Sequence, residues 1–224
     1  MDLPCYSCPA VQDDFRKRLR EICKWEDFFD ESMKIVTLLA PLTDNISDPV
    51  VQVYFRKRIW GTCKKWQKSS DKDIEIVKIL APLTENPNAQ NIFGQTPVCR
   101  AACNGHTEIV KFLAPLADNP NAPDMYGKTP IYLAAKNGQT EIVKILAPLS
   151  DNSNAPNENG ETPIHVAASK GHTEIVKILA SLTGNPNAPN YIGITPIHCA
   201  VNNGHKEIVK DLASLNMRKS NTIF

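Results

Sequence analysis

Apolar residues in this chain fall into two alternating kinds of cluster. One reads Ile-Val-x-Ile-Leu behind a glutamate, as in Glu174-Ile175-Val176-Lys177-Ile178-Leu179. Its apolar positions at i, i+1, i+3 and i+4 form the stripe of an amphipathic helix. The other is built of smaller residues. Ile164, Ala167 and Ala168 share one helical face, and the alanines allow a neighbouring helix to come close. Thr162 supplies an N-cap before them, and Pro163 a first helical residue with fixed φ and no N–H to leave unpaired. Gly171 stands between the clusters, where a left-handed residue ends the first helix. Thr173 and Glu174 open the second helix, with the carboxylate at its positive end. The pattern predicts a helix–turn–helix unit.

The unit returns at a fixed step. Thr-Pro pairs stand at Thr96-Pro97, Thr129-Pro130, Thr162-Pro163 and Thr195-Pro196, each 33 residues after the last. Glu-Ile-Val-Lys keeps the same step from Glu108, Glu141, Glu174 and Glu207. Such a period predicts stacked repeats, each burying its apolar face on its neighbours rather than in one globular core. The stretch Gly160–Leu179 resembles the ankyrin repeat, whose motif reads Gly-x-Thr-Pro-Leu-His-x-Ala-Ala-x-x-Gly-His. The resemblance implies an all-α ankyrin-repeat solenoid of stacked helix-turn-helix units with hairpin-like loops, about six repeats in all. It also implies a module that binds a protein partner.

Clean repeats are expected over residues 88–120, 121–153, 154–186 and, as the C-terminal repeat, 187–216, with a fraying tail at 217–224. Residues 1–10 read as irregular. Residues 11–43 read as a degenerate N-terminal capping repeat, and 44–87 as a degenerate repeat with an insertion. Ala40-Pro41-Leu42-Thr43 matches Ala81-Pro82-Leu83-Thr84, and Trp25 and Trp66 take the same place in the preceding first helices. Ile59-Trp60-Gly61 lines up with Ile92-Phe93-Gly94 at the 33-residue offset, so Gly61 is expected at a hairpin tip. About eight extra residues are expected between Asp44 and Gly61. There Val51, Val53 and Phe55 alternate with polar or amphipathic residues, which suits a short strand or lengthened hairpin, with a helix through Val50–Trp60 as the competing reading.

The chain departs from the family pattern at the ends of the second helices. Thr84, Ala117, Ser150 and Thr183 stand where the family has glycine. Just before them come Pro82, Pro115 and Pro148, with Ser181 in the next repeat. Proline there predicts a helix that bends or ends about a turn early. Asn-Pro-Asn-Ala, or Asn-Ser-Asn-Ala before residue 156, then predicts four similar loops. By resemblance, Asn88, Asn121, Asn154 and Asn187 occupy a position modified by an asparagine hydroxylase in such repeats. The alternative is a turn asparagine that satisfies loop backbone groups.

Composition narrows the function classes. The 224 residues are 42% apolar and 22% charged, ordinary for a folded soluble protein. A net charge of +1 gives no global field favouring a polyanion. No apolar run reaches the roughly 18–20 residues that span a bilayer, so no membrane partner is expected. The start, Met-Asp-Leu-Pro-Cys-Tyr-Ser-Cys, lacks an apolar h-region and argues against a signal peptide. Seven cysteines without framework spacing then read as reduced thiols in an intracellular protein, cytoplasmic rather than nuclear.

Candidate chemistry is sparse. All five histidines fall at repeat positions: His165 and His198 after Thr-Pro-Ile, and His106, His172 and His205 after the helix-ending glycine. Reuse at a fixed period predicts structural bonds to neighbouring loops rather than catalysis. Cys99, Tyr132 and Gln139 stand at equivalent positions, so no metal triad repeats. Cys5-x-x-Cys8 is half of a zinc site without a second pair, and Cys99 and Cys103 lie a turn apart on a first helix. No phosphate loop, His-Glu-x-x-His or Gly-x-Ser-x-Gly occurs. Neither an enzyme, nor a cofactor, nor a small-molecule substrate is expected. Arg16, Lys17, Arg18 and Arg20, then Arg56, Lys57, Arg58, Lys64, Lys65 and Lys68, are basic clusters that could touch nucleic acid. Acidic residues beside the first cluster favour a salt-bridged face instead.

The resemblance places partner binding on a concave face lined by hairpin tips and first helices. The tips read Ile92-Phe93-Gly-Gln95, Met125-Tyr126-Gly-Lys128, Glu158-Asn159-Gly-Glu161 and Tyr191-Ile192-Gly-Ile194. Apolar and aromatic residues at such solvent-facing positions mark interaction sites. Cys103-Asn104, Lys136-Asn137, Ser169-Lys170 and Asn202-Asn203 would supply a polar rim. These residues are the candidate partner-binding set of a protein expected to act as a monomeric scaffold or adaptor. The alternatives are an anchoring segment of a larger regulatory protein and a nucleic-acid-associated factor.

Overall fold

The computed structural model describes residues 49–63 and 71–220. The chain divides into two compact units, Met1–Tyr54 and Phe55–Phe224. Of the first, only the beginning of helix α1 lies among the described residues. The expected cap at 11–43, Trp25, Trp66, Cys5, Cys8 and the basic residues at 16–20 and 64–68 all lie outside them.

Helix α1 spans Pro49–Cys63. The competing helix reading through Val50–Trp60 holds, and two expectations are corrected. Val51, Val53 and Phe55 lie in a helix rather than a strand or hairpin, and Gly61 is helical rather than a hairpin tip. The buried positions Gln52, Phe55, Ile59 and Cys63 recur at steps of three and four, so helical spacing governs burial here. The insertion also moves. Asn137 Nδ2 donates to the carbonyl of Cys103, 34 residues earlier, at the end of the preceding first helix. Asn104 Nδ2 makes the same bond to Cys63, 41 residues earlier. Cys63 therefore ends the first helix of its repeat, and about seven extra residues follow α1 instead of preceding Gly61.

The remaining helices come in pairs. After α2 (Asp71–Leu80), first helices are α3 (Pro97–Asn104), α5 (Pro130–Lys136), α7 (Pro163–Lys170) and α9 (Pro196–Asn202). Second helices are α4 (Thr107–Leu113), α6 (Thr140–Leu146), α8 (Thr173–Leu182) and α10 (Lys206–Ser220). No strand occurs among the described residues. First helices pack on first helices, and second helices on second, through the stack.

The capping residues act as their types dictate. Thr96 and Thr129 accept from the N–H groups of Cys99 and Tyr132, with proline at the first helical position. Gly171 is left-handed at φ 79°. The His172 N–H reaches back to the Ala167 carbonyl, 2.9 Å, closing the helix end as a Schellman turn. Ala101, Ala102, Ala134, Ala135, Ala167 and Ala168 are fully buried where first helices meet. Ile109, Val110, Leu113 and their equivalents bury the second-helix stripe, each stabilising by about 1.5–3 kcal/mol relative to exposure.

The proline expectation holds. Helices α2, α4 and α6 each pass into one 3-10 turn: Ala81–Leu83, Ala114–Leu116 and Ala147–Leu149. Proline has no N–H for the next i to i−4 bond, so the last turn tightens. Where Ser181 replaces it, α8 runs on as α-helix to Leu182. The four following loops are alike. Asn86, Asn119, Asn152 and Asn185 accept through Oδ1 from the N–H two residues on. Asn88, Asn121, Asn154 and Asn187 then accept from Val98, Ile131, Ile164 and Ile197 at the start of the next first helix. These bonds hold each loop onto its helix.

Candidate functional site

The hairpin tips owe their shape to one side chain each. Asn91, Asp124, Asn157 and Asn190 accept through Oδ1 from the N–H groups two and four residues later. A backbone bond closes each hairpin: Asn91 N–H to Gln95, Asp124 to Lys128, Asn157 to Glu161 and Asn190 to Ile194. The tips are then joined in series. The N–H groups of Met125, Glu158 and Tyr191 donate to the carbonyls of Phe93, Tyr126 and Asn159, at 3.0–3.2 Å. Backbone polarity is spent inside this ladder, so the side chains are what the tips present.

Those side chains divide by position. Ile92, Phe93, Met125, Tyr126, Tyr191 and Ile192 stand in solvent, from 44% exposed at Tyr126 to 90% at Ile92. Glu158 and Asn159 are exposed between them. The residues after each tip glycine turn inward and are half-buried. Gln95 accepts from Arg100, whose guanidinium lies 5.5 Å from the Trp60 ring centroid. The Lys128 ammonium lies 5.1 Å from the Tyr126 ring centroid. Glu161 accepts from the Tyr132 hydroxyl and from Asn157 Nδ2, both at 3.2 Å. The Ile194 carbonyl receives His165 Nε2 at 3.0 Å.

The inner helix ends are mixed. Cys103, Asn104 and Ser169 are half-buried, whereas Lys136, Asn137, Lys170, Asn202 and Asn203 are exposed. Asn104 and Asn137 tie neighbouring first helices together, and Asn203 bonds Cys199 in its own helix. Their amides are already engaged in the stack.

The third position of a first helix stitches adjacent repeats at Tyr132 and His165. His165 Nδ1 accepts from the Thr162 N–H, which leaves Nε2–H to donate to Ile194. Burial lowers the His165 pKa, partly offset by the Ile194 bond and the Glu161 charge. Tyr132 performs the same task through Glu161 and Asn157. Burial first, and then the Glu161 carboxylate, raise its phenol pKa. Cys99 sits at the equivalent place, its thiol pushed up to about 12, chiefly by burial. A thiol so protonated is a packing group rather than a nucleophile. His172 and His205 pack onto the preceding repeat: a Cβ on Gly138 would lie 2.7 Å from the His172 ring, and one on Gly171 2.6 Å from the His205 ring. His205 Nε2 also lies 3.2 Å from the Ser169 carbonyl. Among the described residues no group of three or more His, Cys, Asp or Glu side chains could hold a metal ion.

Sequence reading missed the tip organisers Asn91, Asp124, Asn157 and Asn190. Their signal was present: an Asn or Asp recurs at the 33-residue step, three places before each tip glycine. The Tyr132–Glu161–Asn157 contact had no such signal, because its partners come from different repeats.

Stacked helix pairs with spent backbone polarity and side chains displayed on a ladder of tips define a repeat-built display scaffold. The chain belongs to the ankyrin repeat family: the family model for ankyrin repeats, three copies long, matches residues 66–157 and 149–222. Ankyrin repeats are generally protein–protein interaction modules and are typically non-enzymatic. No curated protein matches the chain. No helix among the described residues is long and apolar enough to cross a membrane.

Proposed function

We propose that this chain is a non-catalytic scaffold or adaptor that binds a protein partner along its tips and inner first-helix ends, on the concave side of the stack. The observation that carries this reading is the exposure of Ile92, Phe93, Met125, Tyr126, Tyr191 and Ile192 on a hydrogen-bonded ladder. Aromatic residues and Met are enriched at interface centres, and a rigid backbone loses little entropy on binding. Glu158 and Asn159 interrupt the apolar series and give a partner its register. Lys136, Lys170 and Asn202 supply the rim. Glu161 and Gln95 take part as supports for the tips, since their side chains are already engaged.

Affinity capture from cell lysate, comparing the natural chain with a Phe93→Ala, Tyr126→Ala, Tyr191→Ala triple variant, tests the assignment. Proteins held by the natural chain should be lost from the variant. Recovery of the same set by both would overturn it.

A further inference from the structure

Where the chain departs from its family pattern, it leaves a second apolar series in water. Leu116, Leu149 and Leu182, at the Pro-Leu or Ser-Leu ends of the second helices, are 43–56% exposed. Four residues before each stands a half-buried apolar residue: Phe112, Ile145 and Ile178. Phe112–Leu116 and Ile145–Leu149 run from the α-helix into the 3-10 turn that follows it, and Ile178–Leu182 lies within α8. The result is three two-residue rungs at the C-terminal ends of α4, α6 and α8, which pack side by side. Packed helices lie about 8–10 Å apart, so the rungs repeat at that spacing.

Acids stand at both margins of the first two rungs and at one margin of the third. Glu108, Glu141 and Glu174 are exposed in the first turns, and Asp118 and Asp151 are exposed two residues beyond Leu116 and Leu149, with Gly184 in that place after Leu182. Lys111 and Lys144 are held by Glu108 and Glu141 at 2.7 and 3.0 Å. Lys177 is held by Glu207 and Asp211. Asp118 and Asp151 have no ion-pair partner among the described residues.

We propose that this ridge docks an amphipathic helix of another protein, apolar along one stripe and basic on both sides of it. Seven residues of α-helix rise about 10.5 Å, which matches the rung spacing. Apolar residues at i, i+7 and i+14 therefore meet the three rungs in turn. Lysines or arginines flanking the stripe reach the acidic margins, and the charge match favours encounter. An anionic membrane surface is repelled by the same acids. The ridge shares no residue with the tips, so its fate is separate from theirs.

The test is titration of the full chain with a labelled synthetic helix of three heptads, leucine at a and d and lysine on both flanks. Saturable binding is expected, weakened at least about fivefold between low and ~0.3 M salt. A Leu116→Asp, Leu149→Asp variant should weaken it at least about tenfold, as should Asp118→Lys, Asp151→Lys. Circular dichroism checks that each variant remains folded, which the exposure of these side chains favours. The Phe93→Ala, Tyr126→Ala, Tyr191→Ala variant should bind as the natural chain does. No saturable binding up to ~1 mM peptide, a ~4 kcal/mol floor, would overturn the proposal. So would undiminished binding by either ridge variant, a loss caused by the tip variant, or equal binding to anionic vesicles.

Discussion

At Gly171 the backbone is left-handed, and the His205 ring lies where a side chain would begin. Gly61 is helical, and a Cβ there meets nothing within 4 Å. The same substitution should therefore act in opposite directions. Gly171→Ala is expected to destabilise by about 1–3 kcal/mol, through strain and a displaced ring. Gly61→Ala should stabilise by up to about 1 kcal/mol. Urea midpoints of the two variants check this, and a stabilising Gly171→Ala would contradict the repeat-to-repeat packing. His165 adds a pH dependence. Its folded pKa is lowered because burial disfavours the charged ring, with the Ile194 bond and the Glu161 charge offsetting part of the shift. The unfolded chain thus binds more protons as pH falls below about 6.5, and stability drops through that window toward the lowered folded value. His165→Gln should flatten the slope of stability against pH there; an unchanged slope would mean that other groups carry it.

Helices were legible where local chemistry decides them. Thr-Pro starts, glycine stops and the Ile-Val-x-Ile-Leu stripe needed no tertiary information, and the proline-driven 3-10 turns followed from a missing N–H. Helix α1 was legible only as one of two readings, because its period-2 apolar alternation competed with a helical spacing that only burial of Gln52, Phe55, Ile59 and Cys63 resolves. The 33-residue offset then misplaced Gly61 by assigning the insertion to the wrong side of it. The comparison of α6 with α8 gives an element-scale prediction. Pro148→Ser should carry α6 past Leu146 as α-helix, as Ser181 allows α8 to reach Leu182. Backbone chemical shifts of residues 147–150 report this, and an unchanged 3-10 pattern would move the cause to the loop. At the junction of α5 with the next tip, Tyr132→Phe removes the hydroxyl bonded by Glu161 and Asn157. A cost of about 1–3 kcal/mol is expected, because the half-buried Glu161 carboxylate loses a donor and the buried Asn157 amide loses an acceptor.

Across the whole stack, stability is expected to behave as a sum of units and interfaces. Helix α1 lacks the Thr-Pro start and paired alanines that secure α3, α5 and α7, and α2 is the second helix of the same repeat. Hydrogen exchange should therefore be faster in residues 49–63 and 71–80 than in α3–α8; slower exchange there would contradict the additive account. The candidate site was half legible. Its exposed members, Ile92, Phe93, Met125, Tyr126, Tyr191 and Ile192, stand out because the repeat does not dictate them. Glu161, Asn104 and Asn137 looked equally free, but their side chains bond across repeat boundaries that no local pattern reveals, and Gln95 is engaged by Arg100 of its own repeat. The division of labour between scaffold and displayed residues is the central claim. It is tested most directly by measuring, on the Phe93→Ala, Tyr126→Ala, Tyr191→Ala variant, both urea stability and affinity for a partner captured by the natural chain. The account predicts stability within about 1 kcal/mol of the natural chain, with affinity weakened at least about a hundredfold. Unchanged affinity, or a loss of binding that merely tracks a loss of fold, would contradict it.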